Sequence, residues 1–300
     1  MSTSTEKEDA QLRTYRGNCH CKALVYEVQL PEIKLAHECN CSICHKKGYL
    51  WVFPKTKPQF VKGDDAALKN YTFGSRKIVH KFCPTCATPL MAESVDESKL
   101  AINARALQGV NPWQLEIQQY DGAALGDKYE HPQHKGPLPA AFEGHKLYTG
   151  SCHCGAVTVA FQSKPLDETF DEPIVDCNCS ICSRNGYIWV YPIREKVVLF
   201  ASDPSNIGKY SFARHVLYKS FCKICGVPLT NHHNDITDEE RKALGALPIS
   251  RESGFGEARI KRIKTLHPVN LRLFPDVDLK KLRPERKDGA HMIQPPYENP

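Results

Sequence analysis

Hydrophobic and polar residues alternate along several short stretches of the chain, as expected of β-strands with one buried face. The alternation is clearest in ALVYEVQL (23–30), RKIVHKF (76–82), LEIQQY (115–120) and AVTVAFQ (156–162). Two short apolar runs bounded by glycine and proline are also predicted strands, GYLWVFP (48–54) and GYIWVYP (186–192). The sequence therefore predicts a mostly β structure whose strands are mainly antiparallel.

Helical periodicity is scarce, and one segment carries the signals of a helix start. In TDEERKALGAL (237–247), Thr237 precedes Glu240 by three residues, the spacing of a capping box. We expect a helix in this segment.

The same patterns occur twice in the same order. The matching pairs are GNCHC (17–21) with GSCHC (150–154), CNCSIC (39–44) with CNCSIC (177–182), residues 71–90 with 210–229, and residues 101–110 with 268–277. Each copy ends in an Asp-Gly pair, at 121–122 and 288–289. A long repeat in conserved order predicts a duplicated domain rather than a solenoid.

The offsets between the copies define the predicted domains. The first spans residues 15–122 and the second spans 147–289, joined by a linker at 123–146 that is rich in proline, glycine and histidine. The second copy carries a 28-residue insertion between 230 and 267, predicted to be a lid or an interdomain packing element. The last residues, 290–300, are predicted to form a poorly ordered tail.

Length and composition agree with two domains that each bury a core. The chain has 300 residues, of which 41% are hydrophobic. The N-terminal stretch MSTSTEKEDAQLR has no apolar region typical of a secretory signal, and the longest apolar runs are too short to cross a membrane. We expect a soluble, cytoplasmic protein.

Fourteen cysteines are a high number for such a chain. A secreted disulfide scaffold would require a signal peptide and a short chain, so closely spaced cysteines are predicted to bind metal instead. Each copy has a C-x-C, a C-x-C-x-x-C and a C-x-x-C group, and together these groups use every cysteine. The predicted ligands are Cys19, Cys21, Cys39, Cys41, Cys44, Cys83 and Cys86 in the first copy, and Cys152, Cys154, Cys177, Cys179, Cys182, Cys222 and Cys225 in the second.

Thiolates at these spacings favour zinc, and seven ligands per copy divide into four and three. Four thiolates close a structural site, whereas three leave the open position of a catalytic zinc. Pairing the two-cysteine groups gives a first closed site (Cys19, Cys21, Cys83, Cys86) and a second closed site (Cys152, Cys154, Cys222, Cys225). The rest form a first open site (Cys39, Cys41, Cys44) and a second open site (Cys177, Cys179, Cys182), and these six cysteines are the predicted catalytic residues. Spacing alone also allows a partition in which Cys39 or Cys177 is free.

Other residues near these groups have two interpretations. His20 and His153 each lie between two predicted ligands, and alternation along an extended stretch favours a supporting role over metal ligation. The aromatic residues after the open sites are predicted to pack in the core rather than to contact a ligand; they are Tyr49, Trp51, Tyr187 and Trp189.

The formal net charge of +6 is a weak indication of nucleic-acid binding. If all the cysteines are thiolates holding four Zn²⁺ ions, the net charge falls to about zero. Nucleic acid is therefore not an expected partner. The basic stretches RIKRIK (259–264) and KKLRPERK (280–287) still support an alternative, a non-catalytic zinc-stabilised module that binds protein or nucleic acid.

The ordered motifs resemble those of one known family. G-x-C-H-C, C-x-C-S-x-C and F-C-x-x-C followed by T/V-P-L are similar to the glutathione-dependent formaldehyde-activating enzymes, a family that includes centromere protein V. The resemblance covers residues 15–122 and 147–289. The chain differs from the usual pattern in having two fused domains, and in having CATPL in the first copy where the second has CGVPL with Gly226.

The resemblance implies a β-tent fold with one closed four-cysteine zinc and one catalytic three-cysteine zinc in each domain, or four zinc ions per chain. It further implies a carbon–sulfur lyase that reversibly joins glutathione to formaldehyde, with the open zinc binding the thiol sulfur. Lys46, Lys47, Arg184 and Asn185 directly follow the open sites. They are predicted either to hold the carboxylates of glutathione or to form a solvated loop face. We also expect the tandem copies to imitate a homodimer of single domains.

Overall fold

The computed structural model describes residues 11–300. The polar N-terminal stretch, on which the prediction of no secretory signal depends, lies largely outside these residues. Within the described part of the chain, no helix is long and apolar enough to cross a membrane.

The first domain consists of a three-stranded and a seven-stranded sheet. Its strands are β1 (Arg13–Asn18), β2 (Val25–Leu30), β3 (Leu35–Cys39), β4 (Trp51–Val52), β5 (Gln59–Lys62), β6 (Lys69–Tyr71), β7 (Ile78–Phe82), β8 (Pro89–Ser94), β9 (Leu100–Asn103) and β10 (Glu116–Tyr120). The small sheet has the order β1-β2-β5, and the large sheet has the order β10-β3-β4-β9-β8-β7-β6.

The second domain repeats this arrangement. Its strands are β11 (Lys146–Ser151), β12 (Thr158–Ser163), β13 (Ile174–Cys177), β14 (Ile188–Val190), β15 (Val197–Phe200), β16 (Ile207–Ser211), β17 (Leu217–Cys222), β18 (Pro228–His233), β19 (Val269–Asn270) and β20 (Glu285–Lys287). The orders are β11-β12-β15 and β16-β17-β18-β19-β14-β13-β20. Two similar β domains in tandem confirm the predicted fold class.

Each large sheet contains one parallel pair among antiparallel neighbours. β10 runs parallel to β3, with Tyr120 beside Cys39, and β20 runs parallel to β13, with Lys287 beside Cys177. This pairing places the Asp-Gly pair that ends each copy directly after the strand that flanks the first cysteine of each open site. The predicted strands all occur, and the parallel pairs are the departure from a mainly antiparallel expectation.

Five short helices accompany the sheets in residues 11–300. They are α1 (Ser42–Lys47), α2 (Ser180–Asn185), α3 (Asp238–Ala243), α4 (Glu257–Thr265) and α5 (Gly289–Met292). The predicted capping box is present on α3, where the Thr237 side chain accepts from Glu240 N–H and the Glu240 carboxylate accepts from Thr237 N–H. α1 and α2 were not expected, because six residues are too few to show helical periodicity.

The hydrophobic core is shared between the domains. One cluster of buried side chains belongs mainly to the second domain but includes Ile43, Tyr49 and Trp51 from the α1 region of the first. The other belongs mainly to the first domain but includes Ile181, Tyr187 and Trp189 from the α2 region of the second. Each open-site segment therefore packs into the core of the opposite domain.

The C-terminal residues, which were predicted to be poorly ordered, contact both domains. The Tyr297 hydroxyl donates to the His20 carbonyl at 2.8 Å, and the Asn299 side chain accepts from Arg184 at 2.7 Å. The last residues are therefore held by hydrogen bonds to His20 of the first domain and to Arg184 of the second.

Candidate metal centres

The closed sites join the two sheets of each domain. Cys19 and Cys21 lie in the turn between β1 and β2, and Cys83 and Cys86 lie in the turn between β7 and β8. Their four sulfur atoms all lie within 4.8 Å of one another, as do those of Cys152, Cys154, Cys222 and Cys225 in the second domain. The structure thus brings together the four-cysteine groups that the economical partition proposed.

The sulfur spacing suits a tetrahedral metal rather than disulfides. Cys19 Sγ lies 3.4 Å from Cys21 Sγ, and Cys21 Sγ lies 3.6 Å from Cys83 Sγ. A Zn–S bond of about 2.3 Å requires about 3.8 Å between sulfurs in a tetrahedron, whereas a disulfide requires about 2.05 Å. All fourteen cysteines have free thiols. The donor set therefore fits zinc.

The open sites are built on the end of a strand and the start of a short helix. Cys39 ends β3, Cys41 is the N-cap of α1 and Cys44 lies on its first turn. The three sulfurs lie within 4.8 Å of one another, and so do those of Cys177, Cys179 and Cys182. Three donors from one compact segment leave room for a further ligand.

The Asp-Gly pairs complete the walls of the open sites. A Cβ atom built on Gly122 would lie 2.4 Å from Cys39 Sγ, and one on Gly289 would lie 2.5 Å from Cys177 Sγ. The Asn40 amide donates to the Asp121 carboxylate at 2.8 Å and accepts from Ala123 N–H at 2.8 Å. Only a residue without a side chain fits beside the sulfur. The Asp-Gly pair that ends each copy could have indicated this contact between glycine and sulfur, but the sequence analysis assigned the pair no role.

Neighbouring thiols shift the pKa of the first cysteine in each open site. Hydrogen bonds from the Cys41 and Cys44 thiols lower the pKa of Cys39 to about 2, and the Gly122 backbone N–H adds to this effect. In the second open site the Cys179 thiol lowers the pKa of Cys177, but the Cys182 thiol and burial outweigh it and raise the pKa to about 11. The pKa of the first cysteine is thus shifted in opposite directions in the two open sites.

The aromatic residues predicted to lie in the core do so, and one of each pair also reaches a sulfur. Trp51 Nε1 donates to Cys44 Sγ at 3.3 Å, and Trp189 Nε1 donates to Cys182 Sγ at 3.3 Å. The Tyr49 ring stacks on Trp51 with 4.0 Å between ring centroids. Trp51 and Trp189 therefore pack in the core and also donate a hydrogen bond to a cysteine of an open site.

The two histidines between closed-site cysteines do not point their ring nitrogens at sulfur. Both nitrogens of His20 and both of His153 are hydrogen-bonded to hydroxyl groups. Burial lowers the pKa of His20 to about 3 and that of His153 to about 4. The structure agrees with a supporting role for both.

The four residues that follow the open sites are buried between the domains. Lys46 Nζ donates to the carbonyls of Ser151 and Leu273, at 2.9 and 3.0 Å. Arg184 donates to the Asn18 carbonyl at 3.3 Å, and Lys47 and Asn185 are fully buried. They do not form a solvated loop face, and we treat them as interface residues because neighbouring atoms already occupy or enclose their polar groups.

In each domain a lysine ammonium lies over the aromatic rings that follow an open site, but the two lysines come from different elements. In the first domain it is Lys47 on α1, whose ammonium lies 5.8 Å from the Tyr49 ring and 4.2 Å from the Phe82 ring. In the second it is Lys219 on β17, 4.5 Å from the Trp189 ring. The repeat aligns Lys47 with Asn185 and Lys219 with His80. A buried lysine on the aromatic rings is thus present in both halves, at positions that do not correspond in the repeat.

A cavity of about 300 Å³ lies beside the second open site. Its lining includes Cys177 and Asn178 from the second domain, and Arg105 and Trp113 from the first. Trp113 Nε1 donates to Asp176 Oδ2 at 2.9 Å and fixes this wall. The volume is at the lower end of the range for small-molecule pockets, about 300 to 1,000 Å³. Nothing in the sequence pattern linked Trp113 to this site, because the contact crosses the domain boundary.

Comparison with known proteins gives two further findings. A crystal structure of a Rhodobacter sphaeroides protein is similar to this chain at 29% identity, covering 34% of this chain and 99% of that one, with a TM-score of 0.31. The family model described as glutathione-dependent formaldehyde-activating enzyme matches residues 14–121 and again residues 147–249. The two matched regions account for more than half of the chain and contain both copies of every cysteine group. The chain therefore belongs to the glutathione-dependent formaldehyde-activating enzyme family, in two tandem copies.

Proposed function

We propose that this protein is a carbon–sulfur lyase that reversibly joins glutathione, or a similar thiol, to formaldehyde at its two open three-cysteine sites. The observation that carries the proposal is the convergence of three sulfurs within 4.8 Å, next to a cavity that one of them lines. Family membership supplies the substrate class.

The closed sites would hold structural zinc, and the open sites would hold zinc through Cys39, Cys41 and Cys44 and through Cys177, Cys179 and Cys182. Zinc bound to three thiolates supplies an open position that lowers the pKa of a thiol and polarises a carbonyl. The protein residues fix the sulfurs. Gly122 leaves space beside Cys39, and Trp51 donates to Cys44.

The reaction itself balances without a redox partner. The substrate thiolate donates its electron pair to the formaldehyde carbon and forms the C–S bond, while the C=O π pair moves to oxygen, which takes a proton from water. The product is an S-hydroxymethyl thioether, which is a hemithioacetal. In the reverse direction the hydroxyl loses its proton, the C=O bond reforms and the thiolate leaves.

The cavity beside Cys177 is the proposed entry for the thiol at the second site. Arg105 and Asn178 line it, and the Arg105 guanidinium has N–H groups beyond those bonded to Gly48 and Ser183, of the kind that bind carboxylates. Trp113 closes one side through its hydrogen bond to Asp176. We expect W113A to raise KM for glutathione at this site more than W113F, which keeps the ring and loses only the hydrogen bond.

The test is turnover with glutathione and formaldehyde, together with zinc content per chain. The proposal expects four zinc ions per chain, activity in C41S and in C179S, and loss of activity in the double variant. Full activity in the double variant would show that the open sites do not perform the chemistry. An inactive wild-type protein with intact zinc would favour the non-catalytic module, whose basic residues on α4 include Arg259 and Lys261.

A further inference from the structure

The histidine of each G-x-C-H-C motif makes its side-chain hydrogen bonds to the opposite domain. His153 lies between two ligands of the second closed site, yet its Nε2 is 2.9 Å from Ser42 Oγ and its Nδ1 is 2.7 Å from the Tyr71 hydroxyl. Ser42 and Tyr71 both belong to the first domain. Ser42 is the first residue of α1 and lies between Cys41 and Cys44 in the chain.

The first domain supplies the corresponding histidine, and the partners of that histidine lie in the second domain. His20, between two ligands of the first closed site, has Nε2 2.9 Å from Ser180 Oγ and Nδ1 2.8 Å from the Tyr210 hydroxyl. Ser180 begins α2 and lies between Cys179 and Cys182. The same serine and tyrosine partners occur at both histidines, so these contacts between the domains are not accidental.

A tyrosine from the segment after each domain holds each histidine. Tyr129, in the linker, stacks on His153 at 4.4 Å, and its hydroxyl donates to the His153 carbonyl at 2.5 Å. Tyr297, near the C-terminus, stacks on His20 at 4.8 Å and donates to the His20 carbonyl. The first open site and Tyr129 thus come from the first domain and the linker after it, whereas His153 comes from the second domain. The second open site and Tyr297 come from the second domain and the segment after it, whereas His20 comes from the first.

The far ends of the open-site helices are also held across the boundary. Arg272 donates to the Gly186 carbonyl of its own domain at 2.6 Å and to the His45 carbonyl on α1 at 3.3 Å. Arg105 makes the corresponding bonds to Gly48 and to Ser183 on α2, at 2.7 and 3.4 Å. Both ends of α1 and both ends of α2 therefore depend on the opposite domain.

We propose that each open site is completed by the other domain, with His153 as the positioning residue of the first open site and His20 as that of the second. A neutral imidazole has one donor and one acceptor nitrogen, and two hydroxyl partners satisfy both. The histidine then fixes the serine hydroxyl between two cysteines of the open site, and hence the start of the helix that carries them. The effect of these histidines on catalysis rests on the proposed function. Their effect on the position of the open-site cysteines can be tested without measuring turnover.

The experiment measures the alkylation rate of each cysteine in the metal-loaded, full-length protein. Isotope-coded iodoacetamide and peptide mass spectrometry resolve the two open sites within one sample. H153F keeps the ring stacking and removes both hydrogen bonds, and S42A removes the serine partner from the first domain alone. H20F and S180A are the matched variants for the second open site, and H134F, at a linker histidine whose Nε2 lies 2.9 Å from the Pro137 carbonyl oxygen, is the control.

Loss of a residue that supports metal ligands weakens a site about 10- to 100-fold. We therefore expect H153F and S42A to speed alkylation of Cys39, Cys41 and Cys44 about tenfold. The cysteines of the second open site should change by less than about twofold. H20F and S180A should give the opposite pattern. In a C179S background, where only the first open site turns over, S42A should lower kcat more than it raises KM.

Three outcomes would overturn the inference. They are unchanged alkylation in both S42A and S180A, equal changes at both open sites, and changes confined to the domain that carries the substituted histidine. The serine variants keep the test decisive if a histidine variant does not fold. If the wild-type protein has no turnover, the proposed function fails while the alkylation pattern still decides the cross-domain role.

Discussion

The indole nitrogen of Trp51 donates a hydrogen bond to Cys44 Sγ across 3.3 Å. Since a hydrogen bond to a charged acceptor contributes about 1.5–3 kcal/mol, W51F should weaken zinc binding at the first open site about tenfold or more. The ring remains, so the fold should be kept. Competition with a chromophoric chelator measures the effect. W113F, which leaves this bond intact, is the control, and equal affinities of W51F and wild type for zinc would contradict the prediction.

The second prediction concerns the space that Gly122 leaves beside Cys39. G122A would place a Cβ 2.4 Å from Cys39 Sγ, so the sulfur must move and the first open site should lose about one zinc ion per chain. G289A should do the same at the second open site. G256A is the matched control, because its Cβ would make ordinary contacts at 3.5 Å or more. Zinc content after dialysis is the measurement, and four retained ions in G122A would refute the steric argument.

The third prediction concerns Gly226 and its contact with the other domain. Its φ is +68°, and a Cβ there would lie 2.6 Å from the Phe82 ring and 2.8 Å from Lys47 Nζ. In the first copy the aligned residue is Ala87, and the residue aligned with Lys47 is the shorter Asn185. Overpacking and left-handed strain together cost about 2–4 kcal/mol, so G226A should lower Tm by about 5–10 °C.

The double variant G226A/K47N restores the combination found in the other half of the molecule. We expect it to recover part of the lost Tm, since the shorter asparagine leaves room for the methyl group. A double-mutant cycle followed by thermal unfolding measures this coupling. Purely additive effects would show that Lys47 and Gly226 do not share the space.

His267 gives a prediction for pH dependence. Burial, and then the charge of Arg194, lower its pKa to about 4 in the folded protein, against about 6.5 when unfolded. Between these values the unfolded state binds the proton more readily, so stability is full above about pH 6.5 and falls as the pH drops towards 4, by about 3 kcal/mol in all.

H267Q should therefore have a flatter dependence of Tm on pH between 7 and 5 than the wild-type protein. H134Q, at a linker histidine whose Nε2 lies 2.9 Å from the Pro137 carbonyl oxygen, is the matched control. If H267Q and the wild type lost the same stability over this range, His267 would not be the titrating group.

The strands were predictable because alternation records which face of each sheet is buried. The cysteine groups were predictable because every cysteine fell into a repeated motif, and the structure assembles the groups that this partition favoured. α1 and α2 escaped prediction for a physical reason, since a six-residue helix that begins at a cysteine N-cap has no periodic signal.

The contacts between the domains could not be predicted, because a hydrophobic pattern shows that a face is buried without showing against what. Lys46 was predicted either to hold a carboxylate of glutathione or to lie on a solvated loop face, yet its ammonium is held by carbonyls of the other domain. One signal was available. YEHP (129–132) and YENP (297–300) repeat at an offset of 168, and this match would have extended both copies to the tyrosines that stack on His153 and His20.

The exchange of the buried lysine between α1 and β17 shows what a covalent link between the halves permits. In a dimer of identical chains, every substitution enters both active centres at once, so a change that suits one centre is imposed on the other. Here Lys47 and His80 stand on one side while Asn185 and Lys219 stand on the other. A single chain thereby holds two open sites whose surroundings can change independently of each other, although each site still depends on the opposite domain for its shape.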